Sequence, residues 1–312
     1  MNYDAFTGPL EQLRDCALCP RMCHVNRFRA GRGVCKSDAS FNIASVCIHH
    51  GEEPPVSGST GICNIFFAGC NLRCIYCQNF QISDPSASHA AHRMALHDVI
   101  SAITRILDQG INRVGFVSPS HDIPQMQVII NIIQSLGYHP VWVYNSNGYD
   151  KVETLRALEG VIDVYLPDFK YMERELALNY SGVADYPKVA MAALKEMMRQ
   201  KGAVLHLAAD DTVASGIIVR HLVLPGHIEN SLRVVRFLAE DLSARIHVSL
   251  MAQYYPVDRV AAHPKLGSCI TESEYRQVIN EMEKVGLGNG WIQEFESRDF
   301  YRPDFNKPHP FA

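Results

Sequence analysis

No long apolar run interrupts the 312 residues, and the first sixteen carry acidic residues where a signal peptide would carry an apolar core. Neither a secretory leader nor a membrane span is expected, and the location is read as cytoplasmic. An excess of positive charge is missing too. The 29 Lys and Arg face 33 Asp and Glu, a formal net charge of -4, which gives no general pull toward phosphate backbones and leaves nucleic acid unindicated as a partner. No fixed-period repeat or low-complexity tract is present. With 47% hydrophobic residues the chain has a core for one large domain plus an appendage. Cysteine is nearly absent from most of the chain, since only Cys269 lies beyond position 77, yet ten are present. Disulfides placed for stability would be scattered, and the cytoplasm keeps thiols reduced. The nine crowded cysteines point to iron or zinc ligation.

Residues 1–57, rich in cysteine, arginine and glycine with little apolar periodicity, read as a small loop-rich extension ordered by a metal. Residues 58–294 alternate strands and helices, and 295–312, with Pro303, Pro308 and Pro310, read as an extended surface tail. The apolar run Cys63 to Phe67 is the first strand. Leu96, Val99, Ile100, Ile103, Ile106 and Leu107 recur at helical spacing, with Gly110 as the stop. A strand from Val114 to Val117 follows, then a helix capped by Asp122 and carrying Met126, Val128, Ile129, Ile132 and Ile133, then a strand from Pro140 to Tyr144. Further strands are expected at 161–166, 217–223 and 245–250, with helices at 151–158, 174–200, 230–242 and 272–285. Six strands joined by crossover helices give an α/β fold, favouring a barrel or partial barrel over an open sheet, although spacing alone does not separate the two.

Directly after the first strand, Cys70, Cys74 and Cys77 stand in the spacing CxxxCxxC, with Tyr76 before the third thiol. Three thiolates on a 4Fe-4S cubane leave one iron open, as an open position separates catalytic from structural metal sites. A zinc knot or a group of buried thiols is the plainer alternative. This motif matches the hallmark of the radical SAM superfamily. The likeness extends to Val117 to His121, Val143 to Tyr149, Tyr165 to Tyr171 and Arg220 to Gly226, which resemble segments of proteins related to pyruvate formate-lyase activating enzymes. It covers the chain from the N-terminal cysteines to about residue 294.

The resemblance implies a partial (β/α)6-type radical SAM barrel with a Cys-rich N-terminal extension. It implies a 4Fe-4S cluster on Cys70, Cys74 and Cys77 whose open iron chelates S-adenosyl-L-methionine. Reductive cleavage then gives a 5'-deoxyadenosyl radical that abstracts hydrogen, with a flavodoxin or ferredoxin as reductant. By analogy with activating enzymes the target is a backbone glycine of a partner protein. A small molecule or an RNA base is the alternative, and a non-catalytic iron-sulfur protein for electron transfer or redox sensing is a third reading. Against that third reading, carriers usually fill every cluster position with protein ligands.

Ligands of parallel α/β folds meet the C-terminal ends of the strands. This rule selects Ser118 and Ser120, with His121, after the second strand, Asn145 and Asn147 after the third, Asp168 and Lys170 after the fourth, and Gln253 with Tyr254 after the sixth. A helix-capping Ser-Pro-Ser turn, an Asn-Gly turn and an exposed ion pair are the ordinary readings beside these. The Asp168-x-Lys170 pair resembles the Asp-Leu-Lys of glycyl-radical activating enzymes, which implies a lysine near the cofactor carboxylate. Arg220 and His221 must face opposite sides of their strand. Arg220 suits an acid or a substrate carboxylate, and His221 suits a satisfied core histidine. Two departures put a formate-lyase target in doubt. The Pro-Tyr-His of the activators has no histidine at Gln253-Tyr254-Tyr255-Pro256, and their Gly-Pro-Gly-Ile-Arg is replaced by Gly58-Ser59-Thr60-Gly61-Ile62. No catalytic acid, base or nucleophile is assigned.

Cys16, Cys19, Cys23 and Cys35 form a CxxCxxxC group with a fourth cysteine, and Gly31 and Gly33 permit the return turn. Four thiolates suit zinc or a second 4Fe-4S cluster, and the spacing does not choose. Cys47, Cys63 and Cys269 read as buried thiols acting as small hydrophobes. The run His49-His50-Gly51-Glu52-Glu53 reads as a linker turn, with metal binding as its alternative.

Overall fold

The computed structural model describes residues 3–29, 33–84, 89–299, 302–307 and 309–311. Gly31 and Pro308 therefore lie outside the described residues. Nine strands occur among them: β1 (Ile43–His49), β2 (Ile62–Phe67), β3 (Arg113–Val117), β4 (Val141–Ser146), β5 (Val164–Pro167), β6 (His206–Leu207), β7 (Val213–Leu222), β8 (His247–Met251) and β9 (Gly290–Ile292). The sheet runs β1-β2-β3-β4-β5-β7-β8-β9, with β6 paired to β7 off that path. From β2 to β9 every step of the path is parallel. Parallel strands are covered on both faces, which is why β2, β3 and β5 are buried at every position.

The helices are α1 (Pro54–Ser57), α2 (Phe80–Ser83), α3 (Leu96–Leu107), α4 (Ile123–Ser135), α5 (Val152–Arg156), α6 (Arg174–Ser181), α7 (Tyr186–Lys201), α8 (Ile228–Phe237) and α9 (Glu272–Lys284). Each of β2, β3, β4, β5, β7 and β8 is followed by one or two crossover helices, from α3 to α9, which gives six β/α units. No pairing joins β1 to β9 among the described residues, so the barrel is partial.

Five features depart from the expected pattern. Residues 43–49, expected within the loop-rich extension, form β1 and pair antiparallel with β2. A ninth strand, β9, follows α9 and extends the parallel sheet. Asp122 stands at the N-terminus of α4 without capping it; its buried carboxylate pairs with Arg27 instead. The tail does not simply run over the surface: Phe305 and Phe311 pack on a cluster of Cys47, Phe66, Ile82 and Val117. Cys269 is half-buried, not fully buried as Cys47 and Cys63 are.

The N-terminal lobe has a small apolar centre of Leu13, Cys16 and Leu18. It docks at the site end of the barrel through hydrogen bonds from Lys151 Nζ to Ala17 O (3.2 Å) and from Thr154 Oγ1 to Leu18 O (2.7 Å). No helix among the described residues is long and apolar enough to cross a membrane.

Candidate iron-sulfur centre

A cavity of about 190 Å³ opens at the C-terminal ends of the parallel strands, and Cys70, Cys74 and Cys77 all line it. The loop after β2 presents each sulfur to a donor. Leu72 N–H (3.4 Å) and Asn147 Nδ2 (3.3 Å) donate to Cys70 Sγ. Ser83 Oγ donates to Cys77 Sγ at 3.2 Å, and Cys74 Sγ lies 3.0 Å from Ser181 Oγ. Burial pushes the Cys70 thiol up to about 12 and the Cys74 thiol up to about 11. Iron bound there would displace the thiol protons.

Convergent thiols with hydrogen-bond donors aimed at sulfur fit a cluster held by three thiolates. Among the described residues, no three Cys, His, Asp or Glu groups close on one point as the ligands of a single ion do. A cubane holds its thiolates farther apart than one ion does.

Charged groups stand beside the thiols. Lys170 Nζ lies 2.5 Å from Asp168 Oδ2. Burial works against the ammonium charge, yet Asp168 and the neighbouring Cys74 outweigh it and hold the Lys170 pKa above its usual value. Arg220 reaches Glu52 (3.0 Å), Glu53 (3.5 Å) and Asp168 (3.7 Å). Burial, opposed by Arg220, raises the pKa of the Glu53 carboxyl. The Asn147–Gly148 turn sits so close to β5 that a Cβ on Gly148 would lie 2.2 Å from Asp168 O, and the glycine has a φ of +79°. Gln78 Nε2 donates to Gln253 O (2.8 Å) and Gln293 Nε2 donates to Gln253 Oε1 (2.8 Å), which ties the cysteine loop to the ends of β8 and β9.

The structure brings Ser118, Asn145, Asp168, Lys170 and Gln253 to the cavity wall together with Asn147 and Arg220. It does not bring Ser120 there. Ser118 takes the left-handed conformation (φ +55°) at the head of a 3-10 turn, which swings Ser120 and His121 into the interior. Ser120 packs beside Tyr144 and Asp150, and His121 Nε2 meets Ala68 O at 3.0 Å. His221 faces the helix layer. It contacts Phe169 O (2.6 Å) and Ser231 Oγ (2.9 Å) as a satisfied core histidine.

Residues 49–53 do more than turn the chain. His49, Gly51 and Glu52 line the cavity, and Glu52 accepts from Asn64 (2.9 Å), Asn145 (3.3 Å) and Arg220. Nothing in the local sequence marks Glu52, because its partners stand on β2, β4 and β7. The same holds for Ser181, whose partner Cys74 is more than a hundred positions away. A second, smaller enclosed cavity in the N-terminal lobe is lined by Cys16, Cys19, Cys23 and Cys35.

Residues 56–182 match the family described as 4Fe-4S single cluster domain. The chain is 29% identical to an uncharacterized protein of Methanocaldococcus jannaschii over 285 residues, 88% of this chain and 76% of that one. Among solved structures it is similar to a domain of a pyruvate-formate lyase-activating enzyme from Bacteroides vulgatus, at 15% identity and TM-score 0.38, covering 55% of this chain and 92% of that one. It is also similar to Streptococcus suis SuiB bound to S-adenosylmethionine, at 12% identity and TM-score 0.48, over 72% of this chain and 48% of that one. The matched segment contains Cys70, Cys74 and Cys77, which the partial barrel places together at the C-terminal ends of its strands.

Proposed function

We propose that the protein binds S-adenosyl-L-methionine beside Cys70, Cys74 and Cys77, cleaves it reductively and uses the product to abstract hydrogen from a second substrate. The observation that carries this reading is the shared cavity, where three thiols meet Asp168, Lys170, Asn145 and Ser118. A cluster bound there supplies radical-generating chemistry, one electron delivered at an open iron. The chain supplies the rest. Lys170 offers an ammonium to the cofactor carboxylate, with Asp168 fixing its position. Ser118 and Asn145 offer hydroxyl and amide groups to the amino group or ribose. Phe66, Leu72 and Phe311 give the wall apolar surface that excludes water.

Resemblance of the Asp168-x-Lys170 pair to activating enzymes supports a backbone glycine of a partner protein as the hydrogen donor, with a flavodoxin or ferredoxin as reductant. The size of the cavity, bordered by Pro303 and Phe311, favours a small molecule as the second reading. The test is anaerobic reconstitution with iron and sulfide, reduction, addition of S-adenosylmethionine and mass spectrometry for 5'-deoxyadenosine. Its formation is expected in the native protein and not in Cys74→Ala. Its absence from protein with a verified reducible cluster would favour an electron-transfer role.

A further inference from the structure

We infer that Cys16, Cys19, Cys23 and Cys35 hold a second 4Fe-4S cluster, and that it passes single electrons to the cluster on Cys70, Cys74 and Cys77. The relay rests on the radical chemistry proposed above; the binding of the second cluster does not.

The lobe is built around its sulfurs. All four line one small cavity together with Arg21, Arg27 and Asn71. Three non-glycine residues beside Cys23 or Cys35 adopt the left-handed conformation, Met22 (φ +41°), His24 (φ +51°) and Lys36 (φ +62°). Each such residue is held against a steric cost that a non-glycine side chain ordinarily avoids. A Cβ on Gly33 would lie 2.8 Å from Cys23 Sγ, so glycine is what lets the returning chain pass the thiol. The apolar centre of the lobe is too small to offset these costs, whereas ligand bonds to a metal group do so.

The sulfurs are treated as those of the cluster loop are. Backbone N–H groups of Arg21 and Ser37 donate to Cys19 and Cys35, each from two residues on, just as Leu72 donates to Cys70. Arg21 and the buried Arg27 line the same cavity, with the charge of Arg27 shared with its ion-pair partner Asp122.

The placement favours a relay. Asn71 lines the lobe cavity, while its neighbours Cys70 and Leu72 line the barrel cavity. Adjacent residues of one loop thus line the two cavities. Arg21 Nε donates to Asn71 O at 2.9 Å, and Asn71 Oδ1 accepts from the same Asn147 amide that donates to Cys70. Each transfer moves one electron from a low-potential flavin or iron-sulfur carrier. The lobe cluster takes it up, going from the 2+ to the 1+ level, then returns to 2+ as the loop cluster goes from 2+ to 1+.

The test is iron, sulfide and zinc analysis of anaerobically reconstituted full-length protein. About eight iron and eight sulfide per chain are expected in the native protein, and about four in the Cys70→Ala/Cys74→Ala/Cys77→Ala variant, which keeps the lobe intact. The Cys19→Ala/Cys23→Ala variant should also retain about four. One zinc per chain, or no metal bound to the loop variant, would overturn the second cluster. For the relay, stopped-flow reduction of the loop cluster by reduced flavodoxin should slow by at least an order of magnitude in Cys19→Ala/Cys23→Ala, with reduction by dithionite unchanged. Equal flavodoxin rates would overturn the relay and leave radical chemistry untouched.

Discussion

Arg27 joins the lobe to the barrel by burying a charge. Its guanidinium pairs with the Asp122 carboxylate and donates to the carbonyls of Asp38 and His121, and both members of the pair are almost fully buried. Arg27→Met should leave that carboxylate buried without its main partner and destabilise the fold by about 3–5 kcal/mol. Urea unfolding would measure the loss, and adding Asp122→Asn should restore part of it. Lys170 works at the cavity. Lys170→Met should raise KM for S-adenosylmethionine by about tenfold to a hundredfold, the worth of a hydrogen bond to a charged group. Iron content should stay at the native level, and Lys170→Arg should recover part of the affinity. The strand-end rule found Asp168 and Lys170 because both follow β5 directly. It chose Ser118 and Ser120 alike, yet the 3-10 turn separates them, and a left-handed Ser118 is not written in the local sequence.

Strand β7 shows what alternation settles and what it leaves open. Arg220 turns into the barrel and His221 toward α8, as neighbours on a strand must. His221 is buried neutral, and burial pushes its pKa down to about 4. Below the ordinary histidine value near 6.5 the unfolded chain takes up a proton that the folded chain refuses. Stability from this residue is therefore full above about pH 6.5 and falls as pH drops toward 4, by at most about 3 kcal/mol. Urea midpoints of metal-free protein between pH 7 and pH 4.5 should fall less in His221→Asn than in the native chain. At this scale α3, α4 and α9 were legible from apolar residues at helical spacing, and the six central strands from short apolar runs set between them. Two elements were not. β1 buries residues unevenly and has Ser45 and His49 among its seven residues, so it shows no clean alternation, and β9 is three residues of Gly-Trp-Ile.

For the whole molecule, the six β/α units followed from the order of elements, whereas the closure of the mouth did not. The tail reaches it through contacts with residues more than two hundred positions away, which no periodicity records. Gln81 holds it from both sides, donating to Asp304 Oδ1 (2.9 Å) and accepting from Phe305 N–H (2.8 Å). Phe311 then packs tilted against His49 with ring centroids 4.1 Å apart and lies beside Phe66, and Phe311 and Pro303 stand on the cavity wall. A chain ending at residue 299 should therefore keep its iron and its fold while the cavity opens to water on that side. Binding surface used equally by bound cofactor and transition state would be lost, so KM for S-adenosylmethionine should rise several-fold with kcat little changed. A matching Phe311→Ala variant should show a smaller change in the same direction. If truncation instead lowered kcat at unchanged KM, the tail would be acting on the reacting groups and not as a wall. Unchanged values of both would mean that the barrel alone encloses the cofactor.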